Sequence, residues 1–324
     1  MRALPFLPLV VLLVASSAGH VFAPASAATV HRASYDLEVE PGVTLRVVEA
    51  WTDASLARDE PLAALFVAPT LVTHAVWDAG IPDDPTYSGL YQAAQRGYFA
   101  FAFDHWGYGA SSRPANGMDV TFERMLPQTA AVLEFARATS GAHRVDLVSG
   151  SLGNSLAFAL GGDESPVSDH VGAIVMTSNV YANASLVLGL TVLGPAACDI
   201  QPPPPDGYTQ TPPPLYAIIL WNAEPEAQLW AYQTFPGSYA QGPTQEGCHL
   251  PVYQASHGRA PALVVYGDHD LLTDPSDVAQ FVAEYGGDAQ PLFLPGGGHA
   301  PYFESVRASF WDNAFAWFDE HRLP

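Results

Sequence analysis

Short apolar runs alternate with longer amphipathic stretches along most of this chain, and glycine, proline or small polar residues separate them. Residues 35–40 and 43–51 flank Pro41-Gly42, a pattern that predicts an antiparallel hairpin. Residues 62–68 form a continuous apolar run stopped by Pro69, as expected of a central strand covered on both faces. Residues 98–103, 145–148, 171–176, 262–266 and 291–294 read as five further strands. Helices are predicted over 88–96, 121–139, 155–160, 274–285 and 304–320. In the second of these, Phe122, Met125, Leu126, Ala130, Val132, Leu133, Phe135 and Ala136 recur at close to helical period. Strands that alternate with helices imply an α/β fold, a mostly parallel sheet with helices on both faces.

The alternation breaks between about residue 178 and residue 258. That segment is rich in proline and aromatics, with Gln201-Pro202-Pro203-Pro204-Pro205 and Pro212-Pro213-Pro214, and proline runs favour extended, solvated backbone. One short helix is predicted there, over 224–235, with Pro225 suited to its first turn. The expected organisation is therefore a core formed by 28–177 and 259–324, interrupted by a cap or lid at 178–258. Residues 1–27 read as a signal peptide: Met1-Arg2, an apolar run from Leu4 to Ala15, then small residues ending at Ala25-Ser26-Ala27. Export to a periplasmic or extracellular compartment is the expectation, with no stable membrane insertion once the signal is removed. Asn183-Ala184-Ser185 is a glycosylation sequon, relevant only in a glycosylating host.

Composition narrows the classes of partner. Hydrophobic residues make up 48% of the 324 and charged residues 14%, enough for a large buried core. The formal net charge is −21, and all twelve basic residues are arginine. Such a surface repels nucleic acid and anionic membrane, and the lack of lysine excludes any mechanism built on one. Cys198 and Cys248 are an even pair in a chain read as exported, which suggests a disulfide; two free buried thiols are the alternative. Neither has His or Cys neighbours at ligand spacing, so no metal site and no cofactor are indicated.

In open α/β sheets, ligands bind beyond the carboxyl ends of the strands, so the polar residues just after each strand are the candidates for chemistry. Three stand out: Ser151 in Ser149-Gly150-Ser151-Leu152-Gly153, Asp270 in Gly267-Asp268-His269-Asp270, and His299 in Gly296-Gly297-Gly298-His299. A hydroxyl needs a base to become a nucleophile, and an imidazole needs a carboxylate to fix its tautomer and stabilise its charged form. Asp268 competes with Asp270 for that role, and His74, His105 and His269 compete with His299. Trp77 and Tyr87 are candidates for core or pocket wall.

With these motifs and Asp104-x-x-Gly-x-Gly-x-Ser111, the chain resembles the α/β-hydrolase superfamily from about residue 35 to its C-terminus, the cap excepted. The resemblance implies an eight-stranded sheet, with Ser151 as nucleophile, His299 as general base and acid, and Asp270 as its orienting carboxylate. It implies an oxyanion hole made by the backbone N–H of Leu152 and that of Thr70 or Leu71. Two departures stand out. The family often has glycine where this chain has Ser149, and usually carries His-Gly where this chain has Pro69-Thr70-Leu71; proline has no N–H to donate. The implied function is an exported serine hydrolase of esterase or lipase type, cleaving a small apolar carboxylic ester through an acyl-enzyme. Amide or C–C bond hydrolysis and a non-catalytic ligand-binding protein on the same fold are the alternatives, and a lyase of hydroxynitrile type is disfavoured by the absence of lysine. Oligomeric state is not legible.

Overall fold

The computed structural model describes residues 27–69, 71–151, 153–178, 205–210, 219–235, 237–243 and 254–322. Thr70, Leu152, Asn183, Cys198 and Cys248, and the expected signal peptide up to residue 26, lie outside the described residues.

The hairpin forms from β1 (His31–Glu40) and β2 (Val43–Trp51), with Gly42 at φ 80° in the turn. β1 begins earlier than its sequence suggested because its alternation of exposed and half-buried positions extends back towards His31, which pairs with Trp51. A one-turn helix α1 (Asp53–Leu56) leads to β3 (Leu62–Val67). Helix α2 (Gly89–Gln95) is capped by the Ser88 side chain, which accepts from Tyr91 N–H, and β4 (Tyr98–Phe103) follows. Helix α3 (Phe122–Ser140) starts at a Thr121 cap, keeps Pro127 inside it, and ends at Gly141 with φ 75°. Then come β5 (Val145–Gly150), α4 (Gly153–Leu160) and β6 (Val171–Thr177).

Between β6 and the next strand of the main sheet, the described elements are β7 (Tyr208–Gln210), α5 (Pro225–Thr234) and β8 (Ser238–Ala240); β7 and β8 pair as a two-stranded ribbon. Contacts anchor them to the rest of the chain. Tyr208 Oη donates to Pro114 O and Tyr108 Oη to Ala240 O, while Trp230 stacks on Phe303 at 5.6 Å. The chain closes with β9 (Ala262–Gly267), α6 (Pro275–Glu284), β10 (Ala289–Leu294) and α7 (Arg307–Glu320). α7 starts later than its sequence pattern suggested, because Glu304 turns its side chain back into the preceding loop.

The sheet order is β1-β2-β4-β3-β5-β6-β9-β10, with β1, β2 and β4 paired antiparallel and every other neighbour parallel. Strands covered on both faces are apolar throughout but still divide by parity, as a pleat requires. Phe99, Phe101 and Phe103 of β4 join a core with α3, α4 and α6, whereas Tyr98, Ala100 and Ala102 join a second core with α2, α5 and α7. Register decides where the chemistry can lie. Gly150 pairs with Thr177, Thr177 with Val265, and Gly267 with Leu294, so the turns after β5, β6, β9 and β10 emerge along one end of the sheet. No described helix is long and apolar enough to cross a membrane.

The close packing of α2 on α7 depends on Gly89. A Cβ there would lie 2.7 Å from Trp311 Cη2 and 2.9 Å from Phe66 Cε1, both in fully buried rings. Overpacking a core typically costs ~1–3 kcal/mol, more than the roughly 1 kcal/mol or less that alanine gains over glycine in a helix. Gly89→Ala is expected to lower stability by about 1–2 kcal/mol in urea unfolding. Unchanged or higher stability would show that the rings yield.

Candidate active site

Ser151 sits where β5 turns into α4. Its φ is 49°, in the left-handed region that a residue with a Cβ enters only at a cost. The surroundings fix that conformation. Ser151 N–H donates to Thr177 O at 2.9 Å, and its own carbonyl accepts from Asn154 N–H at 3.0 Å. Gly153 admits the backbone after β3 beside the helix start, since a Cβ there would meet Ala68 O at 2.7 Å. Leu71 and Ser178 are also left-handed, at φ 65° and 59°. Among the described residues, three of the four non-glycines with positive φ thus follow directly or closely on β3, β5 and β6, and strain of this kind collects at functional sites.

Of the competing acid and base residues, the structure joins His299 and Asp270. Nδ1 of His299 lies 2.8 Å from Asp270 Oδ1, and both side chains are almost wholly buried. Burial opposes the Asp270 charge, but the His299 charge and hydrogen bond outweigh it and lower its pKa to about 2. Asp270 Oδ1 also accepts from Leu272 N–H at 2.9 Å, whereas Oδ2 has no hydrogen-bond partner among the described residues. For His299, burial disfavours the imidazolium, yet the Asp270 charge and hydrogen bond, with a contribution from Glu304, raise its pKa above the ordinary imidazole value. Asp270 therefore contributes stability above its unfolded pKa of about 3.9 that is lost as pH falls through its folded value. His299 contributes stability below its unfolded pKa of about 6.5 that is lost as pH rises through its raised value.

The rivals are engaged elsewhere. Asp268 Oδ1 accepts from Gly296 N–H at 2.7 Å and His269 N–H donates to Gly297 O at 2.9 Å, bonds that tie the aspartate loop to the histidine loop. The His269 ring stacks on Trp221. His74 Nδ1 pairs with the buried Asp104 at 2.7 Å, whose second oxygen accepts from Ala110 N–H. His105 is buried with Nε2 at 2.9 Å from Ala68 O, and burial lowers its pKa, so it stays neutral and donates. The Asp104-to-Ser111 motif therefore braces the turn after β3. Trp77 and Tyr87 are core residues.

Ser149 has a role that becomes visible once β6 is in place. It is fully buried and its hydroxyl donates to Asn154 Oδ1 at 2.7 Å; Asn154 Nδ2 then donates to Thr177 O and Ser178 O. Ser178 Oγ in turn donates to His299 O at 2.9 Å. Hydrogen bonds thus link the strand under Ser151, through Asn154 and Ser178, to the backbone of His299. Sequence inspection missed Asn154 and Ser178. Their only signal was an asparagine at the start of a helix and a serine directly after a strand.

The turn after β3 is described at Pro69 and from Leu71 onward. Burial raises the pKa of the Tyr108 hydroxyl, and the Leu71 amide, hydrogen-bonded to it, opposes that rise as an N–H donor does. Among the described residues, no group of three or more His, Cys, Asp or Glu is arranged to hold a metal.

Known proteins share this architecture. A family model described as "alpha/beta hydrolase fold" matches residues 80–195. A soluble variant of monoglyceride lipase from Saccharomyces cerevisiae superposes with a TM-score of 0.69 at 11% identity, covering 93% of this chain and 98% of that one. A putative aryl esterase from Burkholderia cenocepacia gives 0.56 at 18% identity (89% and 100%), and an epoxide hydrolase from Vigna radiata gives 0.59 at 14% (90% and 98%). No curated protein matches the sequence.

Asn154→Ala would leave the Ser149 hydroxyl and the carbonyls of Thr177 and Ser178 without that partner. Each buried group left unpaired costs ~1–3 kcal/mol, so the variant is expected to lose about 3 kcal/mol of stability in denaturant unfolding. A loss under about 1 kcal/mol would show that this link is not a structural tie.

Proposed function

We propose that the chain is an exported serine hydrolase of the α/β-hydrolase superfamily that cleaves a carboxylic ester through an acyl-enzyme, a reading supported by the family-model match and the shared fold. The observation that carries the reading is the buried 2.8 Å contact between His299 and Asp270, on the end of the sheet where Ser151 is held in a strained turn. Asp270 holds the proton of His299 on Nδ1, which leaves the Nε2 lone pair free to act as base. Ser151 Oγ attacks the ester carbonyl as Nε2 takes its proton. The tetrahedral intermediate then collapses, Nε2 gives the proton to the leaving alcohol, and the acyl group remains on Ser151. Water repeats the sequence, with His299 as base again, and releases the carboxylic acid. Covalent epoxide opening would need an acidic nucleophile, and the turn carries serine.

The oxyanion hole in this reading uses the N–H of Leu152, at the start of α4, and that of Thr70 or Leu71. Removing one such donor typically costs ~3–4 kcal/mol of transition-state stabilisation. A cap at 178–258, stapled by Cys198 and Cys248, covers a small apolar ester. Its support is the aromatic content of the segment and the half-exposed Trp221, which stacks on His269 beside Asp270. Export rests on the charge and apolar run of residues 1–27.

The test is turnover of a panel of nitrophenyl esters across pH. Ser151→Ala is expected to abolish turnover, and Asp270→Asn to lower kcat by roughly 10⁴-fold. Because the base must be neutral and its pKa is raised, the acid limb of kcat/KM is expected above about pH 6.5, and it should move down in Asp270→Asn. Full turnover in Ser151→Ala would remove the assignment, and an acid limb below that of free imidazole would contradict the paired His299.

A further inference from the structure

Glu304 carries an ionisable group that the steps above do not use. Its side chain is fully buried at the end of the turn that follows His299. Oε2 accepts from Gly298 N–H and Oε1 from Ala300 N–H at 3.4 Å, so the two oxygens engage the amides immediately before and after His299. The approach requires glycine at 298, since a Cβ there would lie 2.5 Å from Glu304 Oε1. With Ser178 Oγ donating to His299 O at 2.9 Å, three polar groups of the backbone around the histidine are held. We propose that Glu304 is a positioning residue for His299, its carboxylate bracketing that histidine so that the loop presents the imidazole to Ser151. The proposal rests on the serine-hydrolase reading.

A buried carboxylate is costly unless its oxygens are satisfied, and amide donors stabilise its charged form. The titratable groups that act on it are His299 and Asp270, from the loops after β10 and β9, and it acts in turn on Tyr302 beside it. Arg307 does not neutralise it directly: its guanidinium goes to the Glu304 carbonyl, Glu224 and Asp84. Burial raises the Glu304 pKa to about 7, against the pull of the two amides and of the His299 charge. The ionised form strengthens both amide bonds and favours the His299 imidazolium, so the carboxylate couples loop order to the protonation of the base. Glutamine keeps one acceptor oxygen, loses the charge and turns an NH2 group towards the second amide, so Glu304→Gln removes the charge and half of the bracket together.

The experiment compares kcat, KM and their pH dependence on one ester for the wild type, Glu304→Gln and Ser151→Ala, and follows the His299 imidazole by NMR in the wild type. Glu304→Gln is expected to lower kcat by on the order of 10- to 100-fold with KM little changed, since small misplacements of a reacting group cost that much. Its acid limb should move down by about 0.5–1 pH unit through loss of the neighbouring negative charge. Followed by NMR in folded Glu304→Gln as well, the His299 imidazole should titrate lower than in the wild type, a readout that does not need turnover. Wild-type kcat and an unmoved acid limb in Glu304→Gln would overturn the proposal while leaving the triad intact. Turnover in Ser151→Ala would instead overturn the underlying reading, whatever the Glu304 result.

Discussion

A carboxylate and an imidazole buried against each other set the terms for the rest of this structure. Neither Asp270 nor His299 would hold its charge comfortably alone at that depth, because moving an ion out of water costs several kcal/mol even in a relaxed protein interior. Together, at 2.8 Å, they lower the one pKa and raise the other. That exchange demands that two loops far apart in sequence meet in fixed geometry. The parallel register of β9 with β10 brings their ends level, and the bonds from Asp268 to Gly296 and from His269 to Gly297 tie the loops together. Gly267 makes the contact possible, since a Cβ there would collide with the carbonyl of Gly297.

The same logic extends to the strained turn at Ser151. A left-handed serine costs on the order of 1–3 kcal/mol and persists only where the surroundings over-determine it. Here the surroundings are the end of β6 and the helix start at Asn154. The Ser149 side chain, placed where a glycine is usual in similar turns, adds a hydrogen bond to that set rather than disturbing it. Ser178 stands at the junction. It is itself left-handed and buried, it bonds to Asn154 on one side and to His299 on the other, and so the turn and the histidine loop share one support.

Much of the fold was legible in the sequence, for a definite reason. The strands are apolar runs with sharp ends, so residues that follow them can be found by counting, and Ser151, Asp270 and His299 all follow a strand. Motif spacing preferred Asp270 to Asp268, and His299 to three other histidines, and the preferred two are in contact. Interactions across strand ends were not legible. Whether Asn154 reaches Ser178, or Glu304 reaches back over His299, depends on register and on loop path, which composition and period do not encode. Glu304 showed this most clearly: its place in a helical pattern suggested the first turn of α7, but its carboxylate bonds to Gly298 and Ala300 and the helix begins at Arg307.

The proposed activation of Ser151 by the buried pair is tested most directly by exposing the folded protein to a fluorophosphonate probe and mapping the adduct by peptide mass. One adduct is expected, on the peptide that contains Ser151, formed in the wild type and absent in His299→Ala. An adduct on another residue, or equal labelling with His299 removed, would contradict it.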